Sequence, residues 1–336
     1  MQILQLDGAY GVENLQCAER PTPTPGPGEI TVRMKAISIN FRDLAAVDGA
    51  IPHIKPLIPF SDGAGIVEAV GPGVTRVAVG DRVASVFFSD GWIGGPVSAE
   101  KKSKALGGLS AGCAQEIALL PAGAVSHFPE HMSFEEAACL PCAALTAWNA
   151  VVSAGDLLPG DTALFQGTGG VSIFALQIAK MMGLRAIITS SSDEKLERCA
   201  ALGADHCVNY VKTPEWGPAA KALTPPGVDL VVEVGGAGTL PQSLKAVRVG
   251  GRIAIVGVVS GQHEIPASIV GQIMMGTVRM HGISVGSREM YEAMMRAFAQ
   301  HRLKPVIDKI FPWEEAAAGL RYVKGGAHFG KVVLTF

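Results

Sequence analysis

The chain has 336 residues, 48% of them hydrophobic and only 17% charged, and its formal net charge is -2. That length exceeds what one core usually organises, so two domains are expected. A charged fraction below the roughly 25% of an average domain points to surface buried in clefts or subunit contacts, with a homodimer as the expected assembly. Without a broad positive field, nucleic acid and anionic membranes are not indicated as partners.

Met1 to Asp7 lacks the basic-then-apolar pattern of a secretory signal. From there to about Pro129 the chain is short apolar runs broken by Gly and Pro, such as Glu29 to Ile39, Gly65 to Val70 and Asp81 to Phe88, which predicts an all-β, barrel-like unit over residues 1–128. After Phe134 apolar strands alternate with helical segments. Strands are predicted at Thr162–Gln166, Ala186–Thr189, His206–Tyr210, Val228–Val234, Arg252–Val258 and Val278–Val285, with helices at Val171–Met182, Asp193–Leu202 and Leu240–Val247. This rhythm predicts an α/β domain over residues 129–288 with a doubly wound parallel sheet covered on both faces. Residues 289–336 include short strands from Lys304 onward and are expected to complete the first domain.

The uncharged stretch Thr162 to Ala179 contains glycines and polar residues near its start, so it reads as strand, turn and helix instead of a membrane span. The six cysteines, Cys17, Cys113, Cys139, Cys142, Cys199 and Cys207, form no regular framework, which fits a reducing cytoplasm.

The strongest chemical signal is the first turn of the α/β domain. Gly167 permits a tight turn after the strand, Gly169 lets backbone approach a diphosphate without a Cβ in the way, and Thr168, Gly170 and Val171 carry the chain into a helix whose N–H groups and dipole hold phosphate. Ser172 replaces the third glycine of the pattern. About twenty residues on, where an acidic side chain would accept hydrogen bonds from an unmodified ribose, the chain has Ser190 and Ser191, with Lys195 one helical turn further as a counter-charge. NADP(H) is therefore the expected cofactor, with NAD(H) as the alternative that Asp193 and Glu194 keep open. Ser191 and Glu194 also read as a capping box for the next helix.

These pieces, together with the runs Gly28 to Ala36, Asn40 to Asp43, Ser61 to Gly65, Val79 to Val83, Leu140 to Trp148 and His328 to Val333, resemble the medium-chain dehydrogenase/reductase superfamily, and within it the zinc-free, quinone-oxidoreductase-like branch. The resemblance implies a GroES-like catalytic domain built from both ends of the chain, a central Rossmann domain, and an active cleft between them. The positions that hold catalytic zinc in related alcohol dehydrogenases match Asn40, Ser61 and Cys142 here, an unsuitable set for zinc, so no metal is expected. Cys139-x-x-Cys142, a single CxxC without a second ligand pair, gives only weak support for a redox role.

Without a metal, hydrogen-bond donors or a cation must polarise the reacting oxygen, and Asn40, Arg42 and Thr146 are the candidates. Arg42 could equally brace the domain through a carboxylate. The proton-relay positions of the zinc enzymes are Arg42 and Ala45, so that relay is broken, and Ala50 and Ile51 stand near the place where related enoyl reductases carry a tyrosine. By the same resemblance Tyr210 flanks a 2′-phosphate, and Val234 with Gly235, Val256 with Gly257, and Ile283 with Val285 supply strand-end backbone contacts to the cofactor. None of the eight histidines, His263 among them, has ligand spacing. The expected function is hydride transfer between NADP(H) and a small quinone, carbonyl, alcohol or activated alkene; the alternative is an NADPH-binding sensor or structural protein with little catalysis.

Overall fold

The computed structural model describes residues 1–89, 91–261 and 264–336, so His263 lies outside the described residues. The first half of the chain forms β1 (Gln2–Gln5), β2 (Gln16–Glu19), β3 (Glu29–Ile39), α1 (Phe41–Val47), β4 (Asp62–Val70), β5 (Arg82–Ser85), α2 (Ala99–Lys102), β6 (Ile117–Pro121), β7 (Val125–His127), α3 (Phe134–Ala138) and α4 (Leu145–Trp148). There follow β8 (Thr162–Gln166), α5 (Gly170–Met181), β9 (Arg185–Ser190), α6 (Asp193–Ala201), β10 (His206–Asn209), α7 (Trp216–Leu223), β11 (Val228–Glu233), α8 (Leu240–Ala246), β12 (Val247–Ile255), α9 (Ser268–Gly276) and β13 (Arg279–Gly282). The chain ends with α10 (Arg288–His301), β14 (Ile307–Pro312), α11 (Ala316–Lys324) and β15 (Lys331–Thr335).

Two compact units result, one of residues Met1–Leu145 with Gly286–Phe336, the other of Thr146–Val285. The division falls after Leu145 and not after residue 128. The reason is that α3 packs on β3, β4 and β15 of the first unit, and the Cys142 amide donates to Asp62 Oδ2 at 3.0 Å. Around α4 the helical path widens into π turns at Leu140–Ala144 and Asn149–Ser153, a geometry frequent at functional sites.

The first unit holds a seven-stranded sheet in the order β14-β15-β3-β4-β5-β7, with β6 also pairing β3, and a separate β1-β2 ribbon. Every pairing in the large sheet is antiparallel except β14 with β15. Close approach of β3 and β4 depends on Gly65, where a Cβ would sit 2.2 Å from the Arg33 carbonyl oxygen. The second unit is a six-stranded parallel sheet in the order β10-β9-β8-β11-β12-β13. Burial on both faces explains the near-continuous apolar runs: all of β8 is buried, and so are Val231, Val232, Ile253 and Ala254. Strand order reverses between β8 and β11, and a sheet of this kind takes its ligand in the crevice outside the carboxyl ends of the strands at such a switch.

Candidate functional site

In the first unit, strand register brings three chain segments to one buried polar cluster. β15 runs antiparallel to β3 with Val332 opposite Ile39 and Val333 opposite Ser38, so the next step sets Lys331 across from Asn40. β4 pairs β3 with Asp62 opposite Ser38. Lys331 Nζ donates to Ile39 O at 2.7 Å and to Asn40 Oδ1 at 2.6 Å, although the residue is only 3% exposed. Asn40 caps α1, and its backbone N–H donates to Asp43 Oδ2 at 2.8 Å. Ser61 Oγ donates to Asp62 Oδ1 at 2.7 Å. Among the buried polar atoms left without a hydrogen bond are Asn40 Nδ2 and the Tyr291 hydroxyl.

Arg42 makes the contacts of a brace. Its Nη1 donates to Asp43 Oδ1 at 3.0 Å, Leu106 O at 3.0 Å and Gly107 O at 2.8 Å, and its guanidinium lies 5.4 Å from the Phe87 ring centroid. Asp43 and Asp62 are fully buried, and burial pushes both carboxyl pKa values up against the opposing pull of Arg42 on the first and Lys331 on the second.

For Asp62 the rise is from 3.8 to about 6. Between those values the native state holds a proton that the unfolded chain has released, so stability falls as pH rises through this window, by about 3 kcal/mol at 1.36 kcal/mol per pKa unit, and levels off above it. Asp62→Asn is neutral throughout. Thermal melts of both proteins should show the wild type losing ground to the variant between pH 4 and 6, over and above a constant offset from the altered hydrogen bonds; a gap independent of pH contradicts this account.

A metal fits this cluster badly. The Asn40 carbonyl oxygen is taken by an ammonium, Ser61 Oγ is committed as a donor to Asp62, and burial pushes the Cys142 thiol pKa up, which disfavours the thiolate that zinc requires. Among the described residues no group of three or more His, Cys, Asp or Glu side chains could hold an ion. Cys139 is also a poor redox partner: its thiol donates to Glu135 O at 3.2 Å, and burial raises its pKa to about 12.

In the second unit the glycine corner follows β8 directly. Gly167 has φ 71°, a conformation that favours glycine, and its N–H donates to Thr189 O at 2.8 Å. Gly169 is the N-cap of α5 at φ -76° and ψ 179°, and no side chain caps this helix. Ser172 turns its hydroxyl back to Gln166 O at 2.6 Å, so a small polar residue closes the turn where the usual pattern has glycine. Thr168 is buried, while Gly170 and Val171 open the helix half-buried.

At the switch point stands a network without a local sequence signature. The fully buried Glu233 accepts through Oε1 from Gly235 N and Gly236 N, both at 2.9 Å, and from Thr239 Oγ1; through Oε2 it accepts from Gln166 Nε2 at 2.7 Å and from Ser243 Oγ. Gln166 Oε1 receives Val234 N at 3.2 Å and Gly235 N at 3.3 Å. The ends of β8 and β11 are thereby tied together. Next to them Val256 N donates to Glu233 O at 2.8 Å and Gly257 N to the same oxygen at 3.4 Å, and Ile283 N donates to Ile255 O at 2.8 Å. Val285 sits at φ 52°, a strained conformation for a β-branched residue, with its carbonyl held by Asn149 Nδ2 at 2.7 Å. Thr146 is buried on α4.

At the other end of the sheet Tyr210 N donates to Ser190 O at 3.1 Å, which joins two of the candidate adenosine residues, and the Tyr210 side chain is exposed. The N-cap of α6 is Ser192, not Ser191: Ser192 Oγ accepts from Lys195 N at 3.3 Å, which leaves Ser191 exposed before the helix. Asp193 accepts from Asn209 Nδ2 at 2.7 Å and pairs with Lys212 Nζ, and these hydrogen bonds keep its carboxyl below the usual range.

A doubly wound parallel sheet with a glycine corner before an uncapped helix defines a dinucleotide-binding fold of the Rossmann type. The alcohol dehydrogenase GroES-like domain family matches residues 26–130, and the zinc-binding dehydrogenase family matches residues 170–300. A zinc-type alcohol dehydrogenase-like protein of Schizosaccharomyces pombe is 43% identical over 98% of this chain and 97% of its own length. Crystal structures of a protein from Sinorhizobium meliloti assigned as an alcohol dehydrogenase (40% identity, TM-score 0.91, 100% of this chain and 99% of that one) and of an NAD-dependent alcohol dehydrogenase (35%, 0.90, 100% of both) share the fold. The chain belongs to the medium-chain dehydrogenase/reductase superfamily and is an NAD(P)-dependent oxidoreductase.

Proposed function

We propose that this oxidoreductase uses NADP(H) without zinc to reduce or oxidise a small quinone, carbonyl, alcohol or activated alkene. The observation that carries the cofactor preference is the state of Asp193. Its carboxylate is engaged by Asn209 and Lys212, and the strand end before it offers Ser190 and Ser191, so Asp193 is not the free acidic group that would select an unmodified ribose. The solved NAD-dependent relative at 35% identity is the counterweight.

In this reading the N–H groups opening α5 hold the diphosphate, and Ser190, Ser191, Lys195 and Tyr210 surround the adenosine phosphate. Val234, Gly235, Val256, Gly257, Ile283 and Val285 supply backbone to the ribose and carboxamide, and Thr146 lies beside the nicotinamide. The bound cofactor supplies or accepts the hydride. Asn40 donates a hydrogen bond to the substrate oxygen on which charge develops, while Arg42 only braces α1.

The test is loss of absorbance of NADPH, and separately of NADH, against benzaldehyde, cyclohexanone, 1,4-benzoquinone and 2-cyclohexenone, on protein stripped by chelator. Turnover with a kcat/KM at least tenfold higher for NADPH supports the reading. NADH preference overturns the cofactor assignment, dependence on added zinc overturns the metal assignment, and tight NADPH binding without turnover favours the sensor alternative.

We also infer a homodimer. Among the described residues β13 pairs with β12 alone, leaving an open edge, and on the adjacent α9 Val270, Met274 and Met275 are 72%, 70% and 77% exposed. A second copy fits because two identical edges can pair about a two-fold axis and cover both apolar helices at once. Sedimentation should give twice the 34.9 kDa chain mass, and the double substitution Met274→Glu with Met275→Glu should give the single mass; a wild-type monomer contradicts this. A reducing compartment such as the cytoplasm is compatible with six free thiols, two of them exposed, and no helix among the described residues is long and apolar enough to cross a membrane.

A further inference from the structure

We propose that Lys331 is a positioning residue for the reaction: its ammonium, clamped on Asn40 Oδ1, fixes the Asn40 amide so that Nδ2 is left as the donor for the substrate oxygen. The inference rests on the reading of Asn40 given above and adds the device that sets its orientation. An asparagine amide can face a neighbour with either its oxygen or its nitrogen, and an ammonium has only donors. With Lys331 Nζ 2.6 Å away, the oxygen must face it, since the flipped amide would oppose donor to donor. The nitrogen is thereby turned away from the lysine. It is buried and completes no hydrogen bond, although it lies near enough to Asp62 to favour the ionised carboxylate.

A buried polar group without a partner is costly, and in a residue only 7% exposed it marks a donor held ready for something else. Lys331 itself departs from its strand, for Val332, Val333 and Leu334 beside it are fully buried apolar residues. Burying an ammonium there is unfavourable unless it is compensated, and the compensation is visible: two oxygen acceptors and the nearby carboxylates of Asp43 and Asp62. The lysine thus brings a fixed positive charge to a cluster whose side chains do not suit a metal, and the charge acts on the substrate through the polarised amide.

The test is a double-mutant cycle on the full chain with the best-turned-over member of the four-substrate panel, together with cofactor titration of every variant. Asn40→Ala and Asn40→Asp are each expected to lower kcat about 100-fold, the latter while keeping an oxygen toward Lys331. Lys331→Met should lower kcat at least tenfold, and combining it with Asn40→Ala should cost nothing beyond Asn40→Ala alone. Lys331→Gln, which can still donate to Oδ1, should keep kcat within about fivefold of wild type, and cofactor affinity should stay within twofold throughout.

Multiplying losses in the double variant, or unchanged kcat in Lys331→Met beside a crippled Asn40→Ala, overturn the role of Lys331 while sparing that of Asn40. Unchanged kcat in the Asn40 variants, or no turnover of any panel member by the wild type, overturns the underlying reading and the inference with it. Should Lys331→Met fail to fold, Lys331→Gln decides: a loss as deep as that of Asn40→Ala refutes the proposal.

Discussion

Gly169→Asp is expected to abolish dinucleotide binding while leaving the protein at least as stable as before. The position tolerates any side chain conformationally, because φ -76° and ψ 179° lie in ordinary extended space. Aspartate is a preferred N-cap, and α5 has no side-chain cap to displace, so the substitution should add about 1 kcal/mol of stability through capping and the helix dipole. The same carboxylate would stand where the reading places a diphosphate. Two unit charges 4 Å apart at an effective dielectric of 20 repel by about 4 kcal/mol, roughly a thousandfold in affinity. Tryptophan-fluorescence titration with NADPH and NADH, paired with a thermal melt, separates the two effects. Retained affinity would show that the start of α5 does not hold phosphate, and a large drop in Tm would show that the local structure differs from that described.

What could be read in advance follows from how local its cause is. β8 has its predicted bounds because a buried apolar strand ending in a glycine turn is written in consecutive residues, and the corner after it needs φ values that only nearby glycines signal. β12 starts at Val247, ahead of the predicted Arg252; Gly250, at φ 72°, and Gly251 lie in an irregularity between Val247 and Arg252 in its pairing with β11, and a Cβ on Gly251 would meet Val247 Cγ2 at 2.5 Å. The first domain extends past residue 128 because α3 packs backward onto strands formed a hundred residues earlier, which no composition shift announces.

In the candidate site, Asn40 and the glycines carry signals of a role, whereas Lys331, inside the run His328 to Val333, carries none until β15 pairs with β3 and sets it across from Asn40. Asp62 stands in the run Ser61 to Gly65, but its place beside Lys331 and Tyr291 follows from the pairing of β4 with β3 and from burial. Gln166 and Glu233 are likewise silent, since their meaning lies in hydrogen bonds to each other across 67 positions of sequence.

That last pair carries the largest stability effect. Glu233→Ala removes the acceptor for two backbone N–H groups, two hydroxyls and the Gln166 amide in a fully buried setting. Each orphaned donor costs about 1–3 kcal/mol, but relaxation and shared partners keep such losses from adding, so the expected destabilisation is about 3–5 kcal/mol, the size seen when one side of a buried polar pair is deleted. Glu233→Gln nearly preserves the shape, yet it presents an NH₂ to donors on one side. It should lose about 1–2 kcal/mol and, because Gly235 and Gly236 then lose a fixed anchor, about tenfold in NADPH affinity. Urea unfolding with cofactor titration on both variants measures this. If Glu233→Ala stays within 1 kcal/mol of wild type, the ends of β8 and β11 are held by backbone pairing alone. The strand-end residues from Val234 to Gly236 then owe their geometry to the sheet, and the carboxylate has no part in shaping the cofactor crevice.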